Sequence, residues 1–223
     1  MVAAQGLRVR RGVEVLPEAS GARTGRVEGT GPEVRVVVIG ESTAAGCGVA
    51  THDEGFAGAL AGALSAADGR AVAWEVCGAS GATLQRIRDE LVPQLRGVAD
   101  VAVLLAGVND VLTRRSPAQW ADDLKSTLEL VAAHAVTTVV AGVPPFEAFP
   151  ALPRTLARFL AQRARSFDAA SAEVCAARLN TQWIRTEGLV PLEPAFFARD
   201  GFHPSAAGYA TWAEGIAHHL GRS

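Results

Sequence analysis

Val34-Arg35-Val36-Val37-Val38-Ile39-Gly40-Glu41-Ser42-Thr43 is the stretch whose reading decides the fold. From Val34 to Ile39 it is a β-branched run broken only by Arg35, as in a strand buried on both faces. At Gly40 the run stops and a carboxylate and a hydroxyl follow at once. Working outward, Phe56 to Leu64 has apolar residues at helical spacing, and Ala71 to Val76 reads as a second strand. Leu84, Ile87, Leu91 and Leu95 recur every three or four residues and predict a helix. Val98 to Ala106 is the most apolar strand of the chain. Ala118 to His134 is a helix with Trp120, Leu124, Leu128 and Val131 on one face. Val136 to Val143 is a fourth strand, closed by Pro144-Pro145, and Leu156 to Leu179 is a long helix. Thr181 to Ile184 is a weaker fifth strand. Ala206 to Leu220 is the closing helix, with Ser205 placed to cap it.

Strands alternating with helices predict an α/β fold: a three-layer α/β/α sandwich around a five-stranded parallel sheet with right-handed crossovers. The first 32 residues, rich in Gly, Arg and Glu, show no sustained period. They read as an N-terminal arm or extension, residues 1–32, anchored by Leu7, Val13, Val15 and Leu16, before a domain of residues 33–223. A length of 223 residues suits one such domain.

A net charge of -2 gives no reason to expect polyanion binding, and the 20 arginines and the single Lys125 form no basic block. Nucleic acid is therefore not an expected partner. No stretch reaches the roughly 18 apolar residues of a membrane span, and the first residues lack the apolar run of a secretory signal, so a cytoplasmic location is the expectation. Cys47, Cys77 and Cys175 are too few and too scattered for a disulfide framework or a zinc site. Neither metal nor cofactor is expected, and nothing in the pattern specifies an oligomeric state.

In a parallel α/β sheet the ligand site lies beyond the carboxyl ends of the strands. The segments falling there are Gly40-Glu41-Ser42-Thr43, Gly78 to Thr83, Gly107-Val108-Asn109-Asp110, Pro144 to Pro150, and Asp200-Gly201-Phe202-His203-Pro204-Ser205. A serine hydroxyl becomes a nucleophile only with a base in reach. Histidine is the side chain able to take and return a proton near neutrality, and His203 is the histidine in such a loop. Its position before a helix N-terminus favours neutral imidazole. Asp200, three residues earlier, can curl back to accept the other ring N–H and hold the tautomer.

Four of these segments, all but Pro144 to Pro150, together resemble four blocks of the SGNH hydrolases, the GDSL-like lipases and esterases, in a match running from about Val34 to the C-terminus. Gly40-Glu41-Ser42 is similar to Gly-Asp-Ser, Gly107-Val108-Asn109-Asp110 to Gly-x-Asn-Asp, and Asp200-Gly201-Phe202-His203 to Asp-x-x-His. Ser80 to Thr83 resembles the second block, its glycine falling on Gly81, or on Gly78 in the other register. The resemblance implies a flavodoxin-like architecture and a serine esterase. Ser42 would be the nucleophile, His203 the base, Asp200 its partner, and an oxyanion hole would form from the N–H groups of Ser42 and Gly81 and the amide of Asn109. Three departures stand out: Glu41 for Asp, Val108 where Gly is common, and no Asn ahead of Gly81.

An α/β-hydrolase elbow would need glycine where Ala44 stands. A P-loop has no Gly-Lys-Ser/Thr here. A dinucleotide site at Gly46-Cys47-Gly48 lacks its third glycine, Thr51 standing there. His218-His219 read as a solvated helix end, His52 and His134 as surface residues, Cys77 as strand-end packing, and the four tryptophans as core anchors. The apolar Pro144–Pro150 loop, with Phe146 and Phe149, joins Val108, Leu112 and Phe202 as candidate walls of a substrate pocket. The expected partner is a small-molecule ester of short to medium chain. A thioester, an acetylated carbohydrate or a lysophospholipid would use the same chemistry, and a non-catalytic binding module is the alternative from another class.

Overall fold

A computed structural model describes residues 14–113, 115–189 and 193–221. Leu7 and Val13 lie outside them. Its strands are β1 (Thr24–Val27), β2 (Gly31–Gly40), β3 (Arg70–Gly78), β4 (Ala99–Leu105), β5 (Ala135–Ala141) and β6 (Thr181–Ile184). The helices are α1 (Phe56–Asp68), α2 (Leu84–Arg86), α3 (Val108–Val111), α4 (Pro117–Val131), α5 (Arg154–Ala176) and α6 (Ala206–Leu220).

All six strands form one sheet in the order β1-β3-β2-β4-β5-β6. The five expected strands pair in parallel. Counted among themselves they run 2-1-3-4-5, the flavodoxin-like order. The sixth strand was not legible: β1 lies antiparallel on the edge of β3. Thr24-Gly25-Arg26-Val27 has no apolar alternation because an edge strand alternates between exposed and half-buried positions. Gly25 is needed there, since a Cβ would run into the Trp74 ring. Of the near anchors, Leu16 is buried but Val15 is exposed.

Val36 to Gly40 are all buried, as the central strand requires. Around them α1 packs on α6 and α4 on α5, and the two pairs flank the sheet. Trp74, Trp120 and Trp212 are core residues. The Trp120 indole donates to Ser171 Oγ at 2.9 Å and stacks on Phe167, so its N–H is not left unsatisfied in the interior. Trp183 is only half-buried, under the guanidinium of Arg185.

The helix expected from Leu84 to Leu95 is regular only over α2. It widens into a π turn at Ile87–Leu91 and tightens into a 3-10 turn at Val92–Gln94. Pro93 is the physical cause: it has no N–H to donate and its ring crowds the carbonyl four residues back. The apolar spacing is nevertheless used, since Leu84, Ile87, Leu91 and Leu95 are all buried. Ser205 caps α6, its Oγ accepting from Gly208 N at 3.1 Å.

The register sets the height of the exit loops. Gly40 pairs with Gly78 on one side and with Leu105 on the other, so β2, β3 and β4 end at one level. A Cβ on Gly40 would strike the carbonyl of Leu105, which is why glycine closes this strand. Among the described residues no helix is long and apolar enough to cross a membrane.

Candidate active site

Beyond Gly40 the chain winds into a tight turn, with Ala45 N donating to Glu41 O at 3.0 Å and Cys47 N to Ser42 O at 2.9 Å. Gly46 and Gly48 leave it at positive φ, 72° and 107°. A Cβ on Gly48 would meet the Pro204 carbonyl, so the Ser42 turn lies directly against the histidine loop. The Tyr209 hydroxyl, fully buried, donates to Cys47 O at 2.7 Å and ties α6 to the same turn.

The histidine loop is a narrow bend. Ala198 N donates to His203 O at 2.7 Å, Ser205 N to Phe196 O at 2.8 Å, and Gly201 turns at φ 62°. Within it Asp200 Oδ1 accepts from the backbone N–H of Phe202 and of His203, both at 3.0 Å. Its Oδ2 lies 2.6 Å from His203 Nδ1. Burial pushes the Asp200 carboxyl up, but the His203 ring and the two N–H donors outweigh it and hold it below its ordinary value. The other ring nitrogen, His203 Nε2, is 3.0 Å from Ser42 Oγ. With the Nδ1 hydrogen held by a carboxylate, Nε2 keeps its lone pair for the serine O–H. The chain thus brings together residues 161 positions apart in sequence.

Glu41 lies behind Ser42, almost wholly buried. Oε1 accepts from Val108 N at 3.1 Å; Oε2 accepts from Asn109 N at 3.1 Å and from Asn109 Nδ2 at 2.7 Å. The longer side chain therefore reaches from one strand exit to the next and pins the Gly107–Asp110 turn to the Ser42 turn. Burial pushes its carboxyl up to about 8, with nearby Asp110 adding to the rise and the three N–H groups opposing it. Asp110, buried in its turn and accepting from Leu84 N at 2.9 Å, is raised by burial to about 6.

Asn109 stands at the rim, but its amide also donates to Ala82 O at 3.1 Å. Both Nδ2 hydrogens are thus engaged. The backbone N–H groups of Ser42 and Gly81, by contrast, donate to nothing among the described residues. Gly81 has φ 72° and open space around it. Gly78, the other register, is the last residue of β3 and packs on Ala44 and Ala45 with no room for a Cβ.

Beside Ser42 a pocket opens, lined among others by Val108, Pro144, Phe149, Phe196, Phe202 and Trp212. Of the expected walls, Val108, Phe149 and Phe202 are in place. Phe146 is not: it is fully buried in its 3-10 turn, stacked behind Phe149 at 5.3 Å. Leu112, after the end of α3, points its side chain substantially to solvent and lines no part of the pocket. Pro144, at the start of the expected loop, lines the pocket as well. Phe196 and Trp212 were not found from sequence, though the Phe196-Phe197 pair seven residues before His203 was an available signal.

His52 is buried, contrary to expectation, because the segment at Ala19–Ser20 lies over its loop. His218 and His219 are exposed at the end of α6, with His219 Nδ1 2.9 Å from Gly215 O. Cys77 is strand-end packing; burial pushes its thiol up to about 11, far from the range of a reactive thiolate. Among the described residues no group of three or more His, Cys, Asp and Glu side chains is placed to hold a metal ion.

The profile of the GDSL-like Lipase/Acylhydrolase family matches residues 38–211. No sequence match is found among curated proteins. Among solved structures, the lipase/acylhydrolase from Enterococcus faecalis is 22% identical with a TM-score of 0.60, covering 85% of this chain and 96% of that one. An acetylxylan esterase from Geobacillus stearothermophilus is 19% identical with a TM-score of 0.59, covering 84% and 94%. A lipase from a goat rumen metagenome is 16% identical with a TM-score of 0.61, covering 83% and 96%. At these identities the likeness carries the fold.

Proposed function

The chain belongs to the GDSL-like lipase/acylhydrolase family, and on that premise we propose that it hydrolyses short- to medium-chain carboxylic esters through an acyl-enzyme on Ser42. The observation that carries this reading is the unbroken line from Asp200 Oδ2 through the His203 ring to Ser42 Oγ, at 2.6 and 3.0 Å.

In this mechanism the Ser42 oxygen attacks the ester carbonyl carbon while its proton passes to His203 Nε2. Asp200 keeps the ring oriented and stabilises the imidazolium. The tetrahedral oxyanion is met by the N–H groups of Ser42 and Gly81, which are free to receive it. The Asn109 amide joins them by exchanging its longer bond, to Ala82 O, for one to the oxyanion. His203 then gives its proton to the leaving alkoxide, the C–O bond breaks and the alcohol departs. A water, deprotonated by His203, attacks the acyl-enzyme; the second tetrahedral intermediate expels the serine oxygen, which recovers the proton, and the carboxylic acid leaves.

Aromatic walls suit an apolar acyl group, and Val108 narrows the space beside Asn109. Residues 33–223 are the catalytic domain in this reading, and residues 1–32 an extension that supplies β1 to the sheet edge. A fluorophosphonate probe, together with p-nitrophenyl esters of increasing chain length, tests the proposal on wild type and Ser42→Ala. Labelling and hydrolysis lost together in the variant are the expected result. A wild type that takes no label is a binding module instead, and one that is labelled but prefers acetylated sugars, thioesters or lysophospholipids has a different substrate at the same site.

A further inference from the structure

The N-terminal extension does more than pave the sheet edge. The family match begins at residue 38, yet residues 18–23 touch both loops from which the two free oxyanion donors project. We propose that Glu18 and Arg23 are positioning residues that hold the Ser42 and Gly81 N–H groups in one fixed relation. The inference rests on the reading of Ser42 as nucleophile and of those N–H groups as oxyanion donors.

On the nucleophile side, Ala19 N donates to Ala45 O at 3.0 Å, and Ser20 donates to Ala50 O from both N and Oγ at 2.9 Å. The fit is close: a Cβ on Gly46 would lie 2.6 Å from that of Ala19. On the other side, the Glu18 carboxylate divides its oxygens. Oε1 accepts from Ser80 N at 2.7 Å and Oε2 from Arg23 Nη2 at 2.8 Å. Arg23 Nη1 in turn donates to Gly78 O at 2.8 Å. The two charged groups thus grip the Gly78–Ser80 segment by a carbonyl at one end and an N–H at the other.

That grip falls where local structure supplies least. The peptide linking Ser80 to Gly81 carries the N–H in question, and Gly81 sits at φ 72° with nothing within 4 Å of a would-be Cβ. Glycine has no side chain to limit its rotation, and among the described residues the only backbone hydrogen bond inside the turn is Ala82 N to Ala79 O at 3.2 Å. The Glu18 acceptor holds the preceding peptide plane, so only the two torsions of Ser80 separate a fixed plane from the Gly81 N–H. The Arg23 and Glu18 side chains are 44% and 34% exposed, so their mutual attraction adds little to global stability. Its effect is on geometry, which catalysis reads sensitively.

The test compares Glu18→Ala and Glu18→Gln in the full chain, measuring kcat and KM on p-nitrophenyl acetate, Tm, and amide hydrogen exchange at residues 78–82. Glu18→Ala is expected to lower kcat by about 10- to 100-fold, part of the 10²- to 10³-fold that follows outright loss of a donor, with KM little changed and exchange faster at Ser80. Glu18→Gln keeps an oxygen for Ser80 N–H and is expected to restore most of kcat and of the protection. Wild-type kcat in Glu18→Ala overturns the proposal, as does an equal loss in both variants that tracks a fall in Tm. A wild type inactive on every ester shows instead that the reading of Ser42 has failed; an active enzyme indifferent to Glu18 shows that the clip alone has.

Discussion

Replacing Glu41 by Gln separates charge from shape at the most buried carboxyl of the site. Its carboxyl is raised from the ordinary 4.5 to about 8, burial being the main cause. Between those values the folded protein keeps a proton that the unfolded chain releases. The favourable contribution is therefore complete below about 4.5 and is lost as pH rises through about 8. Over the step from pH 7 to pH 8 the loss is about 1 kcal/mol. That step belongs to Glu41. Asp110 and Asp168, raised by burial to about 6, complete most of their change below it. His52, lowered by burial from 6.5, contributes stability that is already complete above its ordinary value. The buried thiols of Cys77 and Cys175, raised from 9.0 to about 11, act between those values and so above the step. Urea unfolding at pH 7 and pH 8 measures the step. Wild type loses stability over the step, whereas Glu41→Gln, having nothing to titrate there, stays level. The variant also sits lower throughout, because one amide oxygen cannot serve Val108 N, Asn109 N and Asn109 Nδ2 together, and each buried N–H left over costs about 1–3 kcal/mol. A Glu41→Gln protein that falls as far as wild type between pH 7 and pH 8 refutes the argument.

Other outcomes follow from the same contacts. Asp200→Asn turns an N–H₂ toward His203 Nδ1 and favours the wrong tautomer; kcat falls by up to about 10⁴ while the Phe202 and His203 N–H bonds persist, which steady-state kinetics and an unchanged Tm show together. Asn109→Ala lowers kcat by about 10² to 10³ with little change in KM, and an unchanged kcat removes that amide from the oxyanion hole. Val108→Ala widens the pocket beside Asn109, so kcat/KM for octanoate rises relative to acetate in a p-nitrophenyl ester series. A fixed chain-length profile means that Val108 does not bound the acyl group.

What the sequence made legible tracks what local physics determines. The parallel strands were readable because burial on both faces demands unbroken β-branched runs such as Val34 to Ile39. The Asp200–His203 loop was readable because its geometry is local, three residues curling on themselves. β1 was not, since an edge strand owes its pairing to Trp74 and its neighbours and not to its own pattern. The π turn after α2 followed from Pro93, a signal present but subordinate to strong apolar spacing. Phe146 and Phe149 are alike in sequence and both buried, yet only Phe149 lines the pocket, because the 3-10 turn places Phe146 behind it. The contacts of Glu18 with residue 80 are invisible at any local scale, because a polar arm has no periodicity to announce where it lands.

The three carboxyls around Ser42 also sort themselves by environment. Glu41 and Asp110 are buried, accept mostly backbone N–H groups, and are raised, so their task is to hold turns together whether or not they carry charge. Asp200 is buried too, yet it alone faces the imidazole, and its donors pull its carboxyl below the ordinary value. A proton taken up by His203 needs a negative neighbour at the moment it arrives, and a carboxyl that held its own proton near neutral pH could not be one. In the proposed mechanism the divergence of these environments suits Asp200 to orient the ring and Glu41 to hold the turns, without appeal to their place in a motif. It also fits a longer acidic side chain next to Ser42: there, reach matters more than charge.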